Sequence, residues 1–239
     1  MRQAAPCGPD TMRKTSFAAL SAMFLIAGAQ AGPIDGAISS HTVRLTGFSN
    51  GYAVVDGTTD PWGNIGAGRF SGTLDGASFL TYCTDLSQSF GWNNTYTYTL
   101  VANGRSHGFT NAQADLLGRL YTRAGQVQNT DQSVAFQLSV WEIMNDLSPA
   151  SVTAGNFRLL SGASTQQRGL ANTWLAEISQ ADAARSFNAQ RLYSSVAQDF
   201  VIFTPVPLEQ TITRVPEPGT VSLVALAVAG LLASRRRRH

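Results

Sequence analysis

The sequence predicts an α+β fold, an antiparallel β-sandwich or barrel with an inserted helical subdomain. Three observations support it. Short strand-like runs separated by Gly and Asp fill residues 38–101. From residue 110 to residue 184 the spacing of apolar residues changes to that of amphipathic helices. Strand character then returns over residues 191–204. A run of strands followed by helices is typical of the α+β class.

The first strand-rich part contains four clear runs, at residues 41–46, 52–55, 78–83 and 95–101. The last of these alternates Thr with Tyr, which is the pattern of a half-buried strand. Gly and Asp residues between the runs favour turns. We therefore expect successive strands joined by tight connections, as in an antiparallel sheet.

Three helices are expected in the middle of the chain. Thr110 is a capping residue for a helix that continues to residue 121. A second helix is expected over residues 131–146, with Thr130 or Asp131 as its cap, and a third over residues 164–184. A strand is expected at residues 195–203, and the prolines beyond it begin a linker at residues 205–214.

Composition excludes two classes of protein. Hydrophobic residues make up 44% of the chain and charged residues only 13%, which argues against intrinsic disorder. Between residues 32 and 216 the chain has 10 Arg and no Lys against 13 carboxylates, a formal charge of −3. A mildly acidic chain without a basic cluster is not expected to bind nucleic acid.

The N-terminal segment has the features of a secretory signal peptide over residues 1–31. A basic Met12-Arg13-Lys14 is followed by an apolar run at residues 17–27, which is too short to span a bilayer. Ala29-Gln30-Ala31 fits the small-x-small cleavage rule. The mature chain is expected to begin at Gly32 and to form a single domain over residues 32–204.

The C-terminal segment, residues 215–239, contains Pro216-Glu217-Pro218, an apolar stretch at 221–233 and the cluster Arg235–Arg238. The prolines keep the first part non-helical, and the arginines favour the cytoplasmic side of a membrane. This order of features resembles the PEP-CTERM sorting signal. The resemblance implies cleavage by an exosortase in a Gram-negative bacterium, after transient anchoring in the inner membrane. A plain tail anchor is the alternative, and about 13 apolar residues are few for stable spanning.

Cys83 is expected to be the only cysteine of the exported chain, because Cys7 lies in the signal segment. An odd cysteine in an oxidising compartment has no intramolecular disulfide partner. It is either buried and inert or used in chemistry.

Gln137 is unusual because it falls inside the apolar stripe predicted for the second helix, formed by Val134, Leu138, Trp141 and Met144. A buried amide without hydrogen bonds costs roughly 1–3 kcal/mol. Gln137 is therefore either hydrogen-bonded in the core or consumed. A cysteine thiolate that displaces ammonia from the glutamine would leave a Cys–Gln thioester. This bond would account both for the unpaired Cys83 and for a glutamine in an apolar stripe.

The segments Tyr82-Cys83-Thr84-Asp85 and 135–142 resemble the paired motifs of bacterial surface thioester domains. That family has an aromatic-Cys-x-Asp element on a strand and a Gln-x-Ala-hydrophobic-Trp element on a helix. Here Phe136, Ser139 and Val140 replace the family's Thr, Ala and Ile.

The resemblance implies an internal thioester between Cys83 and Gln137, supported by Tyr82, Asp85 and Trp141. It also implies a covalent adhesin, not an enzyme, that is acylated onto an extracellular amine- or hydroxyl-bearing partner and needs no cofactor. Residues four apart share a helix face, so Trp141 is expected to pack over the linkage.

Weaker alternatives remain open. Cys83 and His107 could form a hydrolase dyad, although no family signature accompanies Cys83. A non-covalent structural protein, or one that binds exopolysaccharide, with a free Cys83 is the main rival function. Two further sets have more ordinary explanations, as solvated turn residues and as core or sheet packing. They are four aspartates as calcium ligands (Asp56, Asp60, Asp75, Asp85) and four aromatic residues as a sugar-stacking face (Trp62, Trp92, Tyr96, Tyr98). No metal site is predicted.

Overall fold

A computed structural model describes residues 39–58, 63–146, 148 and 151–207. The predicted signal peptide and sorting signal lie outside these residues. The elements in chain order are β1 Ser40–Gly57, β2 Ile65–Leu74, β3 Ala77–Thr81, β4 Thr95–Val101, α1 Asn111–Ala124, α2 Thr130–Asn145, β5 Leu159–Ser161, α3 Thr165–Ile178, β6 Phe187–Tyr193 and β7 Phe200–Pro205.

The strands form an antiparallel sheet in the order β3-β2-β1-β4-β6-β7, with β5 paired to β1. The two outer strands, β3 and β7, approach each other at one end. There the Val201 amide donates to the Tyr82 carbonyl at 3.1 Å, and the Thr81 hydroxyl donates to the Val201 carbonyl at 2.7 Å. The sheet is therefore nearly closed and barrel-like. The predicted combination of an antiparallel sheet with helices is confirmed.

β1 is one long strand where the sequence predicts two short runs. Two register irregularities interrupt its pairing with β2, and Asn50 and Gly51 within the second one have φ values of 65° and 83°. A side chain at Gly51 would collide with the Thr130 hydroxyl at the start of α2. The Ser133 hydroxyl donates to the Gly51 carbonyl at 2.8 Å. This irregular segment fixes the beginning of α2 against the sheet.

β2 is a strand that the sequence analysis misses. Its segment contains Gly66, Gly68 and Gly72, which weaken the apparent strand signal. The glycines have a packing reason, because a Cβ at Gly66 or Gly68 would meet the ring of Phe48. β2 therefore has glycines at the positions where the Phe48 ring of β1 packs against it.

The helices begin at residues with capping side chains. The predicted cap Thr110 is present, in a capping box with Gln113. α2 is capped by Asn129, one residue before the predicted Thr130 or Asp131, and the Asn129 side chain accepts from the Gln132 amide at 3.0 Å. α3 ends at Ile178, whereas the sequence predicts a helix to residue 184. The turn at 179–182 follows directly.

α2 is the central helix, and the prediction of a single apolar stripe on it is wrong. Every residue from Ser133 to Ile143 is buried. The reason is that α2 packs against β1 and β2 as well as against α1 and α3. Gln137 is therefore buried in a helix that has almost no solvent-facing side.

The predicted strand at residues 195–203 is confirmed from Phe200 onward, whereas residues 195–199 are not part of a strand. The structure has β6, then a turn, then β7 from Phe200. Asp199 stabilises the turn between β6 and β7. Its side chain is only 1% exposed, and its carboxylate accepts a hydrogen bond from the Ser194 amide at 2.7 Å and forms an ion pair with Arg191 at 2.6 Å. In the part of the chain that the structure describes, no helix is long and apolar enough to cross a membrane.

Candidate functional site

Cys83 lies at the seam where the sheet closes. It forms an isolated antiparallel bridge with Phe200, at the start of β7. The next residue strengthens the seam, since the Thr84 amide donates to the Asp199 carbonyl at 3.0 Å. Cys83 is fully buried. Main-chain hydrogen bonds on both sides therefore fix the backbone of Cys83.

Gln137 reaches this seam from the middle of α2. Its Oε1 atom accepts from the Cys83 main-chain N–H at 3.0 Å, and its Nε2 atom donates to the Cys83 carbonyl at 2.8 Å. The structure thus brings together the two residues that the sequence predicts as a pair. Since both polar atoms of the carboxamide are bonded, the cost of an unsatisfied buried amide does not arise.

The Cys83 thiol is buried and protonated. It donates to the Asp85 carbonyl, with 2.8 Å between Sγ and the oxygen. Burial raises the pKa of the Cys83 thiol to about 12, and the nearby Trp141 side chain opposes that rise. Among the described residues the buried indole N–H of Trp141 has no hydrogen-bond partner of good geometry. At neutral pH the thiol therefore carries no negative charge.

The residues that precede the two motif residues stack on each other. The Tyr82 ring lies on the Phe136 ring, with 4.2 Å between centroids and 26° between planes. Both side chains are buried, and burial raises the pKa of the Tyr82 hydroxyl. The family that the motifs resemble has Thr at the position of Phe136. Here the larger Phe136 ring packs directly against Tyr82. This stacking connects the chain after β3 to α2 beside the Cys83–Gln137 contact.

Asp85 acts through its main chain. Its carbonyl accepts from the Cys83 thiol and from the Gln198 side-chain amide, the latter at 2.8 Å. Its carboxylate turns away and accepts from the amide and hydroxyl of Ser87, both at 2.7 Å. Asp85 therefore contacts Cys83 through a backbone atom, and its carboxylate is bonded within the following turn.

A pocket of about 420 Å³ lies over Cys83. Cys83 and Trp141 are among its lining residues and are both nearly completely buried, so they form its floor. Aromatic residues dominate the walls: Phe48, Tyr52, Phe70, Phe90 and Trp92. The candidate site is therefore a buried Cys–Gln pair beneath an aromatic pocket.

The other sequence candidates are placed elsewhere. His107 stacks on Tyr193 at 4.3 Å between centroids, and the hydrogen bonds of the Cys83 thiol and amide go to Asp85 and Gln137. Asp75 lies in the β2–β3 turn, where it accepts from the Thr42 amide at 2.7 Å. Among the described residues no group of three or more His, Cys, Asp or Glu is arranged to hold a metal ion.

The residues of the expected sugar-stacking face lie in different environments. Trp92 lines the pocket and is 44% exposed. Tyr98 is buried and donates to the Gln198 carbonyl at 2.8 Å, and the Tyr96 hydroxyl accepts from the Gly91 amide at 2.9 Å. Trp62 and Asp60 lie outside the described residues. Sequence reasoning misses Phe48, Tyr52 and Phe70 as pocket residues, because it takes no account of β2.

The comparisons with known proteins identify one end of the chain. The model of the PEP-CTERM protein-sorting motif matches residues 214–238. This motif implies export, sorting to the bacterial cell surface and processing by an exosortase. No curated protein and no solved structure matches the chain. The comparisons give no support to the resemblance between the folded part and thioester domains, which rests on the two motifs alone.

Proposed function

We propose that this exported surface protein forms an internal thioester between Cys83 Sγ and Gln137 Cδ and uses it once to attach to a partner. The partner carries an amine or a hydroxyl, as in an adhesin. One observation carries the proposal: the Gln137 carboxamide is held at both polar atoms by the main chain of the residue that bears the thiol. Such fixed positioning of two reacting groups lowers the barrier to their reaction.

The same hydrogen bonds favour the acyl chemistry. As Sγ adds to Cδ, negative charge develops on Oε1, which already accepts from the Cys83 N–H at 3.0 Å. A main-chain donor aimed at a developing oxyanion stabilises the transition state. The C–N bond then breaks, the thiol proton passes to the departing nitrogen, and ammonia leaves. The bond formed is consumed on attachment, so the protein does not turn over as an enzyme.

The proposal also covers where in the cell the protein acts. The sorting motif implies export and exosortase processing. We infer a Gram-negative envelope, with transient anchoring in the inner membrane before release of the tail. Tyr82, Phe136 and Trp141 surround the bond with buried rings, and such burial slows hydrolysis by excluding water.

Methylamine incorporation tests the proposal. Incubation of the full-length protein with methylamine should give a stable adduct that peptide mapping locates at Gln137. Cys83→Ala should abolish the adduct and keep the fold, because only one small buried side chain is changed. Gln166→Ala, at an exposed helix position in α3, is the matched control and should leave the adduct unchanged. Equal incorporation in wild type and Cys83→Ala would refute Cys83 as the acyl carrier.

A second function is favoured by a specific observation. The Gln137 amide is fully hydrogen-bonded and the Cys83 thiol is buried, so the pair is also satisfied without reacting. In that case the protein is a non-covalent structural or polysaccharide-binding component of the extracellular matrix. A free Cys83 thiol together with an unmodified Gln137, in protein isolated from the producing cells, would favour this alternative, because attachment through the thioester would leave Gln137 modified.

A further inference from the structure

We propose that the pocket over Cys83 is a binding site for a neutral carbohydrate, and that a hydroxyl of this carbohydrate is the acyl acceptor. The binding site stands on the pocket alone. The transfer step rests on the proposed function. The evidence comes from the residues that line the pocket besides Cys83.

The pocket offers flat aromatic faces to solvent. Tyr52 and Trp92 are 50% and 44% exposed. Phe48 holds both in place, since its ring stacks on Tyr52 at 4.3 Å and meets Trp92 edge-on at 5.3 Å. Large rings that remain exposed while their positions are fixed are typical of recognition sites. The C–H face of a pyranose ring is apolar and complements the negative face of an aromatic ring.

The polar groups of the pocket are neutral. Its described lining contains no Asp, Glu, His, Lys or Arg. Besides Cys83 and the aromatic residues, the polar side chains there are three amides and a hydroxyl: Asn64, Gln88, Gln198 and Ser89. Such groups bind sugar hydroxyls, and they neither neutralise an ionic ligand nor take a proton from a lysine ammonium. The lining therefore favours a neutral, hydroxyl-rich ligand over a protein amine.

Cys83 and Trp141 lie at the floor of the pocket, and the Trp141 side chain interacts with the Cys83 thiol. A carbohydrate held by the aromatic walls therefore lies next to Cys83.

The transfer step balances without an added reactant. The carbohydrate oxygen adds to Gln137 Cδ of the thioester, the C–S bond breaks, and the hydroxyl proton passes to Cys83 Sγ. The products are an ester between Gln137 and the carbohydrate and a free Cys83 thiol. No oxidant, metal or nucleotide takes part.

The test measures binding of the full-length protein to soluble probes by calorimetry and by tryptophan fluorescence. The neutral probes are cellohexaose, dextran and galactomannan, and the charged probes are polygalacturonate and polylysine. We expect binding of at least one neutral probe and neither charged probe. Trp92→Ala and Tyr52→Ala should each weaken it about tenfold, because each removes one stacking face. Trp92→Phe should retain most of the affinity. Leu80→Ala, at a 51% exposed position outside the pocket, is the control and should bind as wild type.

The outcomes separate this inference from the proposed function. Cys83→Ser should still bind the neutral probe, because the pocket does not depend on the thioester. A wild-type protein that binds the probe but carries no thioester would leave the pocket assignment standing and remove the transfer step. A thioester-bearing protein that binds none of the neutral probes, or that binds polylysine instead, would overturn the inference. Unchanged binding in both Trp92→Ala and Tyr52→Ala would likewise place the carbohydrate elsewhere.

Discussion

Gln137 is hydrogen-bonded at both polar atoms of its side chain to the main chain of Cys83, 54 residues earlier in the chain. The contact joins the central helix α2 to the seam at which the sheet closes. It has two physical consequences. It satisfies a buried amide, and it places a carboxamide carbon beside the only cysteine among the described residues.

The first prediction concerns stability at this contact. Gln137→Leu should destabilise the fold by about 1–3 kcal/mol, because it leaves the Cys83 N–H and carbonyl buried without partners. Chemical denaturation is compared between Cys83→Ala and Cys83→Ala with Gln137→Leu, since neither protein can form a thioester. Gln166→Leu on the exposed face of α3, in the same Cys83→Ala background, is the control and is expected to have little effect. Equal stability of the first two proteins would mean that the two hydrogen bonds contribute nothing.

The second prediction concerns shielding by Trp141. Trp141→Ala should destabilise the domain by roughly 3–5 kcal/mol, since a fully buried ring is lost. It should also speed hydrolysis of the thioester, because the ring forms part of the floor between the pocket and Cys83. Trp174→Ala is the matched control, as Trp174 is 5% exposed on α3 and does not line the pocket.

The comparison is the rate at which methylamine reactivity is lost in buffer, measured below the unfolding temperature of each variant. Trp174→Ala should lower stability and leave that rate unchanged. A hydrolysis rate that rises equally in both variants would show general loosening of the core, and would contradict a specific shielding role for Trp141.

The third prediction concerns pH. Glu142 on α2 is 1% exposed, and burial together with the charge of Asp146 raises its pKa to about 8. In the unfolded chain the same carboxyl titrates near its ordinary value of 4.5. The unfolded state therefore releases its proton first as the pH rises. The contribution of Glu142 to stability is complete below pH 4.5 and is lost between there and about pH 8.

Thermal unfolding across this pH range checks the prediction. Wild type should lose stability from pH 5 to pH 8 more steeply than Glu142→Gln, which keeps the shape and has no proton to lose. Asp182→Asn, at an exposed position, serves as the control and should follow the wild type. Parallel curves for wild type and Glu142→Gln would show that Glu142 does not couple folding to protonation.

The fourth prediction concerns processing of the two ends. The surface form should begin at Gly32 and lack the residues beyond Pro218, because the sequence predicts a signal peptidase site before Gly32 and the matched sorting motif contains Pro218. Peptide mapping of protein from the surface of the producing cells checks both ends. Replacement of Pro216, Glu217 and Pro218 by Ala should cause retention of the tail. Recovery of Arg235–Arg238 on surface protein would contradict the sorting account.

The sequence is sufficient to predict the classes of the elements and much of the candidate site. Capping chemistry places the start of α1 correctly at Thr110, because cap residues act locally. Gln137 is recognised as buried from local periodicity, although the stripe that suggested it is not real. Helix α2 is buried on nearly all sides by elements distant in sequence.

The parts that sequence reasoning misses depend on long-range packing. β2 is rich in glycine because Phe48 lies across it, and no local pattern reveals that. The closing of the sheet at Cys83 and Phe200 joins residues more than a hundred positions apart. The aromatic pocket follows from both features, so only the fold brings Phe48 and Tyr52 together over Cys83.

The most direct test of the thioester is the intact mass of the mature protein, isolated after both ends are processed and measured under denaturing conditions without a nucleophile. The mass should be lower than the sequence mass of that chain by one ammonia, with no titratable thiol at Cys83. Addition of methylamine should raise the mass by one methylamine and release one thiol. A protein of full mass, with one thiol that titrates on unfolding and no change on treatment with methylamine, would contradict the thioester.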